Sequence, residues 1–164
     1  LKKLAGLNEK RLENVRYFEE RLSHLPGISS PKVRESAKHV YYSHACRFDS
    51  EVVGVNRDTF ISAVSAELSY HKLREQEGVK LGSGYVKPLY LQPIFQNRIA
   101  YGSKGYPFSE SDVSYDKGTC PVTERMHFSE LFTHEFILPS MQKSDIDDVI
   151  TAFEKVWNKK EFLI

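Results

Sequence analysis

Between Gly82 and Pro107 the chain carries glycine or proline at Gly82, Gly84, Pro88, Pro93, Gly102, Gly105 and Pro107. Proline fixes φ and removes a donor, and glycine weakens any regular element that contains it. No long helix or strand can cross such a stretch. Yet it is aromatic, with Tyr85, Tyr90, Phe95, Tyr101, Tyr106, Phe108 and Tyr115 in or beside it. That content speaks against disorder, and a long irregular segment in a compact domain is usually functional. Within it, Tyr85–Leu91 is expected to be a short strand with Pro88 at an edge or bulge.

Regular structure must therefore come from the two flanks. Leu1, Leu4, Asn8, Arg11, Val15, Phe18, Leu22 and Leu25 are spaced three and four apart, one stripe of a long helix that Pro26-Gly27 ends. Ile28 to Lys38 reads as a polar loop. His39 to Phe48 reads as a central strand with bulk on both faces, and Asp49 to Val55 as a turn containing Gly54. Asn56 is the expected cap of a helix from Arg57 to Leu68 that buries Phe60, Ile61, Val64 and Leu68. The polar run that follows either extends this helix or loops out.

Beyond the aromatic stretch, Pro121 suits the start of a short helix reaching His127, and Phe132–Leu138 reads as a strand. Ser144-Asp145-Ile146-Asp147 resembles a capping box. It precedes a helix with Ile146, Val149, Ile150, Phe153, Val156 and Trp157 on one face. These elements predict an α+β two-layer sandwich: a small, mostly antiparallel sheet with helices on one face, behind a long N-terminal helix.

Composition narrows the functional classes. A chain of 164 residues suits one domain with its own core. The 23 basic and 22 acidic residues nearly cancel, and the basic ones are dispersed, so no nucleic-acid partner is expected. No apolar run has the length of a membrane span, and no secretory leader is visible. Cys46 and Cys120 alone do not make a disulfide framework, which points to a reducing, cytoplasmic setting.

The residues offer little chemistry by pattern alone. His39 and His44 fall on opposite faces of one expected strand. His127 and His134 lie in different elements, and no metal site is expected. Gly102-Ser103-Lys104-Gly105 is a candidate anion-binding turn through Lys104, and Arg125 is a second candidate anion ligand. For both, a solvated surface residue is the plainer alternative. The tyrosines of the irregular stretch suit a polar, ring-shaped small molecule, which their faces would stack on and their hydroxyls would bond.

An ordered series of motifs adds to this. Gly84-Tyr85-Val86-Lys87-Pro88-Leu89-Tyr90-Leu91-Gln92-Pro93-Ile94-Phe95 is followed by Ile99-Ala100-Tyr101-Gly102 and Gly105-Tyr106-Pro107-Phe108. Then come Cys120-Pro121-Val122-Thr123-Glu124-Arg125-Met126-His127 and Asp145-Ile146-Asp147-Asp148. Gly54-Val55-Asn56-Arg57-Asp58-Thr59-Phe60 precedes them. The series resembles the C-terminal part of the DegT/DnrJ/StrS sugar aminotransferases, most of all the branch acting on aminocyclitol precursors such as keto-inositols. Ser69 to Gln76 stands out as an insertion, and Thr123 stands where the family mostly has alanine.

The resemblance implies the small domain of a fold-type I pyridoxal-phosphate enzyme. Residues 1–27 would be an interdomain-type helix and 28–164 the C-terminal domain. The large cofactor-binding domain, with its Schiff-base lysine, is not matched by this chain. No catalytic residue is therefore assigned, and the isolated chain is expected to be inactive. The full-length enzyme would be a homodimer passing an amino group from glutamate or glutamine to a keto-sugar or keto-cyclitol. Tyr85, Lys87 and Tyr90 would face substrate, with Phe95 as an apolar wall. A non-catalytic sugar-binding or dimerisation module is the alternative.

Overall fold

The structure is a computed structural model that describes residues 1–68 and 81–164. The insertion expected at 69–76 lies outside the described residues. Helix α1 spans Leu4–Leu22. Its buried seam holds Leu12, Val15, Phe18 and Leu22, whereas Leu1, Leu4 and Leu7 are exposed. Only the later turns of the apolar stripe therefore pack on this chain. Asn14 is buried beside that seam, and its amide donates to the carbonyl oxygens of Leu138 (2.8 Å) and Met141 (3.4 Å).

The chain leaves α1 through Gly27, at φ +87°, where a Cβ would stand 2.5 Å from Val53 Cγ2. Strand β1 follows at Ile28–Ser29, in what the sequence reads as loop. Strand β2 is His44–Phe48, shorter than the expected His39–Phe48. Tyr41 is the reason. Its φ is +48°, and its N–H donates to His39 Nδ1 at 2.9 Å instead of to a neighbouring strand. Helix α2, Ser50–Val53, forms within the expected turn because the Asp49 carboxylate accepts from Glu51 and Val52 N–H. Helix α3, Arg57–Glu67, begins as expected at Asn56, whose Oδ1 accepts from Thr59 N–H at 2.9 Å.

Strand β3 is Leu81–Ser83, upstream of the expected Tyr85–Leu91 strand. Gly84, at φ +69°, ends it, and after Pro88 the backbone coils into a 3₁₀ turn at Leu89–Leu91. Helix α4 is Pro93–Gln96, and a second 3₁₀ turn spans Phe108–Glu110. Helix α5, Pro121–Arg125, runs into a π-turn at Met126–Glu130, which delivers the chain to strand β4, Leu131–His134. The strand stops four residues before the expected Leu138, although Phe136 and Ile137 remain buried. Helix α6, Lys143–Asn158, is capped by Gln142 rather than Ser144: the Asp145 carboxylate accepts from Gln142 N–H at 2.7 Å.

The sheet order is β1-β2-β4-β3, and every pairing is antiparallel. His44 faces His134 and Cys46 faces Phe132 across the central pair. His44, Cys46 and Phe48 point into the core, while Ala45 and Arg47 on the other face are exposed. Helices α1, α3 and α6 cover the inner face, so the two-layer α+β reading holds. Phe18, Phe48, Phe60, Phe132 and Phe153 are fully buried, with Phe18 and Phe153 edge to face at 6.1 Å. Each such side chain contributes roughly 1.5–3 kcal/mol by leaving water. No helix among the described residues is long and apolar enough to cross a membrane.

Candidate functional site

The aromatic stretch is anchored at its root by a buried arginine. Arg57 opens α3 and is only 4% exposed. Its guanidinium donates to the carbonyl oxygens of His127 (2.7 Å), Leu131 (2.7 Å) and Phe128 (3.0 Å). These are carbonyls of the π-turn and the start of β4, whose irregular backbone leaves them without helical partners. Asp58 pairs with the same guanidinium at 2.7 Å. Burial pushes the Asp58 carboxyl up, but hydrogen bonds with Arg57 and Ser83 and the Arg57 charge outweigh it and hold it below the usual value.

Gly84 then meets the π-turn directly. Its N–H donates to Leu131 O at 2.6 Å, and a Cβ there would stand 2.8 Å from His127 O. Only glycine permits both the φ and the approach. Tyr85 and Lys87 follow this pivot and are exposed, with no side-chain partner among the described residues.

Tyr90 turns back inward. Its hydroxyl donates to Glu124 Oε1, which also accepts from Gly118 N–H at 2.6 Å. Burial and the Glu124 carboxylate push the Tyr90 hydroxyl up to about 12. The same bond, with the Gly118 amide, holds Glu124 below its ordinary value. The pair joins the aromatic stretch to α5. Phe95 packs in a three-ring knot, edge to face with Phe108 at 5.8 Å and tilted against Tyr115 at 5.3 Å. Gln96 donates to the Tyr90 and Tyr115 carbonyls (2.8 and 2.7 Å), and Arg98, at φ +51°, donates to those of Phe108 (2.7 Å) and Ser111. Two polar side chains thus supply the hydrogen bonds that regular structure would otherwise give this backbone.

The candidate anion ligands lie apart. Lys104 is exposed at the tip of the turn closed by the Tyr101–Tyr106 bridge, and its side chain has no partner among the described residues. Arg125 pairs with Glu130 at 2.8 Å, and Glu130 also takes Arg47 at 3.0 Å. They border a cleft of about 410 Å³ that Asp49 and Glu51 also line. The Arg125 charge is thus already shared with a carboxylate.

Sequence reading missed three arrangements. Arg57 and Arg98 bind main-chain carbonyls, and a carbonyl leaves no mark in sequence. The Tyr90–Glu124 pair spans 34 residues. The third is a buried trio, His44, Cys46 and His134, whose nitrogen and sulfur atoms all lie within 4.8 Å of one another. The β2–β4 register creates it, so only knowledge of the strand pairing would reveal it.

Comparison with known proteins agrees with this architecture. The chain is 22% identical over 156 residues to the spore coat polysaccharide biosynthesis protein SpsC of Bacillus subtilis, covering 95% of the chain and 33% of that protein. Among solved structures, DesV of S. venezuelae superposes with a TM-score of 0.64 at 19% identity, over 94% of this chain and 33% of that one. NtdA of Bacillus subtilis, solved with the cofactor PMP bound, gives 0.58 at 19% identity, over 94% of this chain and 29% of that one. The chain therefore spans about a third of the length of these relatives. The sequence profile of one family matches residues 1–154, and on that match the chain belongs to the DegT/DnrJ/EryC1/StrS aminotransferase family.

Proposed function

We propose that this chain is the substrate-side portion of a pyridoxal-phosphate-dependent sugar aminotransferase. The full enzyme passes an amino group from glutamate or glutamine to a keto-sugar or keto-cyclitol. The observation that carries the reading is the family match together with the Gly84 pivot, which presents Tyr85 and Lys87 outward from a rigid base. Tyr85 supplies a ring face and a hydroxyl, and Lys87 a mobile cation for a sugar hydroxyl or a donor carboxylate. Tyr90 and Phe95 serve the same site from behind, since their partners are Glu124, Phe108 and Tyr115.

The described residues do not fit the cofactor itself. Lys10 and Lys160 are half-buried and every other described lysine is exposed, so none offers an enclosed amine. Pyridoxal phosphate is thus assigned to the portion of the family's length that this chain does not span. Residues 1–27 would lead from that portion and 28–164 would form the smaller domain of a homodimeric, cytoplasmic enzyme.

Two measurements test the reading. The purified chain, given pyridoxal phosphate and glutamate, is expected to form no 2-oxoglutarate; turnover by the chain alone would overturn the assignment. In an enzyme of full family length carrying this portion, Lys87→Ala is expected to raise KM for the keto substrate about tenfold, the effect of one lost charge-assisted hydrogen bond. An unchanged KM would return Lys87 to the solvated surface. Sugar binding by the chain, with no activity at full length, would favour the non-catalytic module.

A further inference from the structure

We infer that Glu19, His44 and His134 form a one-way hydrogen-bond latch that holds helix α1 on the sheet and releases it in acid. Both rings are completely buried. His134 Nδ1 accepts from Phe136 N–H at 3.3 Å. A neutral imidazole has one N–H, so the His134 proton must sit on Nε2. That nitrogen lies 2.9 Å from His44 Nδ1, which therefore accepts. The His44 proton must then sit on Nε2, 3.2 Å from the Glu19 carboxylate on α1. The order of donors runs in one direction from β4 through β2 to the helix.

Such a chain has no place for another proton. A proton added to His44 puts an N–H against the N–H of His134. Shifting the His134 proton to Nδ1 relieves that clash but sets it against Phe136 N–H. Either way one buried donor faces another and is left unsatisfied. The surroundings offer a cation little. Phe18 packs tilted against His134 at 4.4 Å and edge to face with His44 at 5.8 Å, and Tyr41 meets His44 edge to face at 5.4 Å. Cys46 lies 3.9 Å from His44 Nδ1 as a neutral thiol. Glu19 is the nearest anion, with His39 and Arg16 as the other charged or titratable groups around it and Tyr41.

Burial, and then repulsion from His44, holds His134 well below its ordinary value of 6.5. A histidine depressed in the folded state contributes stability that is complete above its unfolded value and is lost as pH falls below it. Release is therefore expected below about pH 6.5. The same tautomers argue against a metal at the trio, since the His134 Nε2 lone pair is replaced by a proton.

Nitrogen-edited NMR of the chain tests this directly. At pH 7.5 both rings are expected as Nε2–H tautomers. Between pH 7 and 5.5, corrected hydrogen exchange at Phe18 and Leu22 is expected to speed up at least tenfold more than at Ile61 and Val64 of α3. An Nδ1–H tautomer on either ring, or equal acceleration in both helices, overturns the latch. Glu19→Gln keeps an acceptor but loses the charge that strengthens the His44 bond and that a buried imidazolium would need. Both changes favour the released helix in acid, so release is expected to move up by about half a pH unit. An unchanged midpoint overturns it. Zn²⁺ that raises the melting temperature and erases the ring N–H signals would make the trio a metal site instead.

Discussion

At the residue scale, single buried side chains hold irregular backbone in place. Arg57→Ala removes the partner of three main-chain carbonyls and of Asp58. It is expected to cost about 3–5 kcal/mol in urea unfolding, since a broken buried charge network leaves its groups unpaired. Lysine at the same position is expected to restore only part of that, having a point charge where the planar fork met several oxygens. The two cysteines should also separate. Burial pushes the Cys46 thiol up to about 12, while Cys120 is half-exposed. Brief iodoacetamide treatment followed by mass spectrometry is expected to label Cys120 alone, with Cys46 reacting only after denaturation. Little of this was legible beforehand. Arg57 stands in a recognisable motif, but the carbonyls it binds lie some 70 residues away. The motif places Tyr90 facing substrate, and its bond to Glu124, 34 residues away, shows only in three dimensions.

At the element scale, signals confined to a few neighbouring residues were readable and those needing a partner strand were not. Asn56 as a helix cap, the Pro26-Gly27 stop and the buried face of α6 all follow from short-range pattern. Asn56→Ala is expected to cost about 1 kcal/mol by thermal unfolding. Asp145→Ala should cost a similar amount, because it carries one half of the Gln142 capping box. Boundaries failed where backbone geometry departed from the local pattern. Alternation alone extends β2 back to His39, but the left-handed Tyr41 stops it. The Tyr85–Leu91 run has strand composition. Gly84 nevertheless turns the chain away before it, and the pairing with β4 goes to Leu81–Ser83. The π-turn has no sequence signature, and its carbonyls depend on a residue in another helix.

At the scale of the whole molecule, α1 has two characters. Its second half belongs to the core, while Leu4 and Leu7 stand about half exposed. Replacing both with glutamate is expected to leave unfolding free energy within about 0.5 kcal/mol. The same change should abolish any concentration-dependent association seen by sedimentation. The fold class and the layering were readable because each helix shows one apolar face, whereas the strand order was not. That order has a kinetic consequence. The central pair joins His44 to His134 across 90 residues, and the aromatic stretch lies wholly inside the loop so closed. Closing it costs chain entropy before any contact between β2 and β4 is gained. Helices α3 and α6 can form early, but the sheet that joins them must wait for an encounter across 90 residues. Stopped-flow refolding is accordingly expected in milliseconds to seconds, not the microseconds of a helical bundle of similar size.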